Sequence, residues 1–235
     1  MSCFDINTYR NESHTHYLNY FLDMLYTKGI DIVDMLTHNL CQYDKLNNRI
    51  FSKDHIIQKH LKLDEMDMVK DSLKSGQSQA VFAYSYGKSM TWEELKDLIY
   101  TALFEKAEII SRSIAYDTHP LKETIPCKMG ETIGYGINQN LDFVKSDEFA
   151  MKLCLSNDPI SQIGIELRTV YPLISRQCEI IKPHETIIQE YDISEKQFST
   201  FKRKSYRIES TKEFKKNQHE NFELNDTIMK AFSNR

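Results

Sequence analysis

Gly164-Ile165-Glu166-Leu167-Arg168-Thr169-Val170-Tyr171-Pro172 reads as a β-strand, because its residues alternate in character and include β-branched and aromatic types. Phe149-Ala150-Met151-Lys152-Leu153-Cys154-Leu155 reads the same way, and the turn signal Asn157-Asp158-Pro159 lies between them. The pair predicts an antiparallel hairpin. Strict alternation places the hydroxyls of Thr169 and Tyr171 on one face and Arg168 on the other. Further upstream, Thr132-Ile133-Gly134-Tyr135-Gly136-Ile137 predicts another strand, with glycines that permit a close backbone approach. Ala80–Tyr86 predicts a short one.

Before residue 118 the apolar period is nearer 3.6. Leu18, Phe21, Leu22, Leu25 and Tyr26 form one stripe, Gly29 interrupts it, and Ile32, Val33, Leu36 and Leu40 restart it. A second helical block covers 54–75, with Asp54 as its expected N-cap, a renewal at Asp64 and a stop at Gly76. Thr91 followed by Glu94 is a capping box, and the stripe from Leu95 to Ile110 predicts one long helix to about Ile114. Helices first and strands second imply an α+β fold, a helical N-terminal part packed on an antiparallel β-sheet. The expected division is a helical segment 1–50, a central domain 51–175 and a polar extension 176–235.

Composition narrows the function classes. A chain of 235 residues with 40% hydrophobic content is long enough for one sizeable core. Its net charge of −4 counts against extended duplex binding and leaves room for a local phosphate site. The five cysteines are odd in number and form no C-x-x-C pair, so reduced thiols are expected rather than a zinc site. His14 and His16, two apart, do not share a helix face and make a poor metal pair. No apolar run is long enough for a membrane segment, and no signal peptide is visible. No phosphate-binding loop, nucleophile elbow, zinc-protease helix or EF-hand is present, and no cofactor is implied. The expected site of action is cytoplasmic, with export or delivery into a target cell left open.

The chemistry-bearing residues are few. Lys59-His60-Leu61-Lys62-Leu63-Asp64-Glu65 offers an imidazole able to move a proton. With the hydroxyls of Thr169 and Tyr171 it makes a minimal kit for metal-free RNA cleavage. No second histidine sits on the final strand, and His119 and His184 are the later candidates nearby.

Lys59-His60, the helix from Ser89, the Gly134-x-Gly136 strand and the closing Thr169-Val170-Tyr171-Pro172 occur in an order that resembles a known family. It is the ribonuclease A-like toxin domain at the C-terminal end of bacterial contact-dependent growth inhibition proteins, and the resemblance spans about residues 54–173. It implies a metal-independent ribonuclease on a ribonuclease A-like fold without that fold's usual disulfides. It assigns His60 as base, Thr169 to a base edge or phosphate, and Tyr171 to a phosphate oxygen or the leaving group. The family's arginine has no counterpart; Lys70 stands near its place, with Lys62 and Lys74 as rivals. The implied products are a 2′,3′-cyclic phosphate and a 5′-hydroxyl, from an RNA such as tRNA and not from DNA. The implied partner is a cognate immunity protein.

Two other classes fit the same residues. One is a non-catalytic interaction or immunity protein of a toxin locus, favoured by the acidic charge and the missing arginine. The other is an RNA-binding module built on Tyr84, Tyr86 and the basic cluster Phe201-Lys202-Arg203-Lys204-Ser205-Tyr206-Arg207.

Overall fold

The computed structural model describes residues 14–38, 42–43, 48–116, 124–156 and 163–211. Helices α1 (His14–Lys28) and α2 (Asp31–Leu36) are separated at Gly29, whose φ of +55° suits a residue without a side chain. Leu40 and the Asn157-Asp158-Pro159 turn lie outside the described residues. Two short strands, β1 (Gln42–Tyr43) and β2 (Arg49–Ile50), pair with each other and precede α3 (Ser52–Ile56). Asp54 is inside α3 rather than capping it; the N-cap is Phe51, which makes no side-chain cap. Helix α3 runs directly into a π-helical turn, Ile57–Leu61.

Local signals set the next elements. Asp64 accepts a hydrogen bond from the Asp67 amide and starts α4 (Glu65–Ser75), which Gly76 ends in a left-handed conformation. Strands β3 (Gln79–Ser85) and β4 (Lys88–Ser89) form a hairpin. The Thr91–Glu94 capping box starts α5 (Trp92–Glu105). The expected single helix is broken at Lys106, where the C-cap conformation intervenes, and continues as α6 (Ala107–Tyr116).

The strands that follow are β5 (Thr124–Lys128), β6 (Gly134–Ile137), β7 (Phe143–Ser146), β8 (Glu148–Leu155), β9 (Ile165–Pro172) and β10 (Glu179–Lys182). Two antiparallel sheets result, in the orders β10-β7-β6-β3-β4 and β5-β8-β9. Helix α7 (His184–Glu190) and a helix over residues 195–211, α8, complete the chain's described part. The fold is α+β with antiparallel sheets.

Two apolar clusters hold these elements. In the larger, Tyr17, Phe21 and Leu25 of α1 and Leu95 and Ile99 of α5 pack with Phe149, Leu167 and Val170 of the three-stranded sheet. In the smaller, Met68 and Val69 of α4 meet Val81, Phe143 and Phe201. Phe201 is fully buried, so part of the polar C-terminal stretch belongs to the core. Burying such a side chain contributes about 1.5–3 kcal/mol.

One irregularity fixes the face that the site residues occupy. Leu153 pairs with Leu167 but Lys152 pairs with Thr169, so Arg168 is an extra residue on β9. Before this bulge Ile165 and Leu167 enter the larger core; after it Val170 does. Thr169 and Tyr171 therefore face away from that core. Strict alternation fails at Arg168, which leaves the core on the side of Thr169, and its Nε donates to Cys154 Sγ at 3.1 Å.

Candidate active site

His60 sits in the π-helical turn, and its Nδ1 is 3.2 Å from the Ala80 carbonyl oxygen on β3. A carbonyl only accepts, so Nδ1 carries the proton and Nε2 keeps a lone pair. Burial drives the His60 pKa down to about 4, with smaller pushes from His55 and Lys59 and a partial offset from Ala80. The ring lies where an imidazolium is poorly solvated.

Tyr171 meets His60 with ring centroids 5.9 Å apart. Both line a cavity of about 350 Å³ whose walls also include Ser78, Gln79, Gln139 and Ser205. The buried Ser78 Oγ and Gln139 Oε1 have no hydrogen-bond partner among the described residues, nor does Thr169 Oγ1, two residues before Tyr171. Such atoms are costly when left dry, so this end of the molecule favours a polar occupant.

Helix α8 closes one wall. Ser205, Ile208 and Glu209 line the cavity, and Ser205 Oγ donates to the Gln139 carbonyl at 3.3 Å. Among the described residues Glu209 is the one charged residue lining it, and it is held by Arg176. Close packing underlies the seam: a Cβ on Gly76 would collide with Lys204.

The structure brings His60 and Tyr171 together; Thr169 lies on the same face of β9 as Tyr171, but neither Thr169 nor Lys70 is among the residues lining the cavity. Lys70 projects from α4, donates to Met66 Sδ at 3.0 Å, and lines a separate cavity with Lys74 and Lys196. Of the rivals, Lys74 is in that second cavity and Lys62 is exposed. His184 is engaged by Asp142, to which its amide donates at 2.9 Å, and its ring stacks on Phe198. His119 lies outside the described residues.

The second imidazole beside His60 is His55, at a centroid distance of 5.9 Å. Its pKa is also lowered, by burial first and Lys59 second. The spacing of five hid this pair, since an α-helix sets such residues about 140° apart. A π-helical turn closes i to i+5 and brings them to one side.

A larger cavity, about 730 Å³, lies across Leu173 and Ile174. Its lysines are paired, Lys145 with Glu179 at 2.9 Å and Lys128 with Asp147 at 3.8 Å, and it holds no imidazole. Among the described residues no group of three His, Cys, Asp or Glu side chains is arranged to hold a metal ion, and no helix is long and apolar enough to cross a membrane.

No family model matches the chain, and no curated protein matches it. Among solved structures, a chain in the crystal structure of the CdiA-CT/CdiI complex from Y. kristensenii 33638 is similar to it at 16% identity, over 51% of this chain and 99% of that one. The TM-score is 0.41, a likeness of the backbone trace that is too loose to place any side chain.

Proposed function

We propose that this chain cleaves RNA by transphosphorylation at the His60 cavity, without a metal, as a toxin or effector domain. The observation that carries the reading is the meeting of His60 and Tyr171 on the wall of one polar cavity. In this reading His60 Nε2 takes the proton of a ribose 2′-hydroxyl. The 2′-oxygen bonds to the adjacent phosphorus, and the bond from phosphorus to the 5′-oxygen breaks. Tyr171 gives its proton to the departing 5′-oxygen, and proton exchange with solvent resets both groups. The products are a 2′,3′-cyclic phosphate and a 5′-hydroxyl; DNA lacks the nucleophile.

Two features make such an enzyme slow. A base with a pKa near 4 is always free at neutral pH but accepts a proton weakly. Among the described residues no cation lines the cavity, so charge developing on the phosphoryl oxygens is met by neutral donors such as Ser78 and Gln139. Lys70, from its separate cavity, is assigned no direct contact with the reacting phosphate. A cognate immunity protein in the producing cell belongs to this reading.

The test is incubation of the purified protein with total tRNA in excess EDTA, beside His60→Ala. Cyclic-phosphate ends that vanish in the variant support the reading. Intact tRNA with a folded protein overturns it. The absence of a lining cation favours a second reading, a non-catalytic interaction or immunity protein of a toxin locus, which that negative result would select.

A further inference from the structure

We propose that the cavity between α4 and α8 is a phosphate site that holds the backbone of single-stranded RNA, at Lys70, Lys74 and Lys196. The inference rests on the RNA reading of the neighbouring cavity, and it deepens that reading by naming where the charge of the substrate is met.

The cavity measures about 420 Å³ and is lined by Lys70, Leu73, Lys74, Lys196, Gln197 and Thr200. Among the described residues three lysines and no acidic residue line it, in a chain whose net charge is −4. Lys70 and Lys74 are four apart on α4, as Lys196 and Thr200 are on α8, so each pair occupies one helix face. Like charges so placed repel each other, and an anion between them removes the repulsion.

Nearby carboxylates do not neutralise the set. Among the described residues none of the three lysines is in an ion pair; Lys70 has only the Met66 sulfur, and Asp71 turns to Lys59 at 3.7 Å. Lys196 lies in the first turn of α8, whose Gln197 amide is capped by Ser194 Oγ at 3.3 Å. Thr200 and Gln197 supply neutral hydrogen-bonding groups beside the ammoniums.

Position gives the site its meaning. Helix α8 lines both cavities: Lys196 and Thr200 with Lys70 and Lys74 of α4 at one, Ser205 and Glu209 with Gly76, the residue just past α4, at the other. Lys204 bridges the interval, its Nζ donating to the Lys74 carbonyl at 2.8 Å. A strand following this seam places one phosphate among the lysines while a nucleotide farther along reaches the His60 cavity.

The experiment is fluorescence anisotropy of a labelled 2′-O-methyl RNA oligonucleotide, which lacks the nucleophile, titrated with the full chain over a range of salt. The test variant carries Lys70→Gln, Lys74→Gln and Lys196→Gln. The control carries Lys88→Gln, Lys106→Gln and Lys128→Gln, with the same change in net charge. The expected result is binding at least tenfold weaker at low salt for the test variant, with a log–log salt slope reduced by about 2, and a control near wild type. Equal loss in both variants, or no binding by the wild type, overturns the site. Tight lysine-dependent binding with uncut tRNA upholds the site and defeats the ribonuclease reading. Cut tRNA with equal effects in the two variants does the reverse.

Discussion

The imidazole of His55 lies 5.9 Å, centroid to centroid, from that of His60, although five residues separate them. Burial lowers the pKa of both rings, Lys59 adds to both shifts, and His55 presses on His60 as well. The pair joins the backbone conformation of one turn to the protonation state of the candidate site.

Stability is therefore expected to fall with acid in a defined window. His60 has a folded pKa of about 4 against 6.5 unfolded, so the unfolded chain binds the proton more readily. Its contribution is intact above pH 6.5, declines as pH falls, and is fully lost below about 4. The loss is about 3 kcal/mol from His60, with His55 adding in the same direction. Urea unfolding at pH 7 and pH 4.5 checks this, and His60→Asn, whose amide nitrogen takes the place of Nδ1 beside the Ala80 carbonyl, flattens the difference.

Activity, in the proposed reading, has its acid limb near pH 4 instead of 6.5, since only neutral His60 works as a base. Rate against pH on a labelled RNA measures it. A limb at 6.5 would point to a base other than His60.

Thr169→Val is expected to raise stability by about 1 kcal/mol while lowering cleavage. It replaces a buried, unpartnered hydroxyl with a methyl group of similar size. Denaturant midpoints and initial rates test both halves. Tyr171→Phe keeps the ring contact with His60, so its loss of rate, roughly a hundredfold or more, comes without unfolding.

Gly136→Ala is expected to cost about 3 kcal/mol. A methyl there falls on the Gln79 carbonyl oxygen and against Ala80, whose carbonyl anchors His60. Thermal unfolding gives the size of the effect. Gly87→Ala, where no atom stands within 4 Å, isolates the strain of its φ of +79° and costs less, about 1 kcal/mol.

Asp34→Ala is expected to cost about 2 kcal/mol. Asp34 accepts from Lys53, Lys96 and Trp92, and the Lys96 side chain is only 7% exposed. Glu93 remains beside Lys96 at 2.7 Å and limits the loss. Chemical unfolding of Asp34→Ala beside Lys96→Met, which removes the charge that needs the partner, separates the two contributions.

The parts of this fold legible in the sequence are those written in short-range chemistry. Thr91 with Glu94, Asp64 with Asp67, and the breaks at Gly29 and Gly76 each act through neighbours a few residues away. The β8–β9 hairpin showed itself by period. What stayed hidden depends on geometry that no local signal marks. The bulge at Arg168 reverses a face with an ordinary strand residue, and the stripe from Leu103 through Ala107 to Ile110 continues across the break at Lys106. Helix α8 left a trace that polarity masked: Phe198, Phe201, Ser205 and Ile208 recur at three and four, the spacing of an inward face. Lys70 was placed by count along the chain, which cannot tell one wall of α4 from another.

The α8 wall also sets a time at which the cavity first exists. Its sides come from His60, Ala80, Gln139, Tyr171 and Ser205, and they meet only after a chain of more than two hundred residues has been made. A growing polypeptide emerging from the ribosome carries the helix of His60 long before it carries the wall that faces it. Until Ser205 has been added, the molecule has the pieces of the pocket and not the pocket.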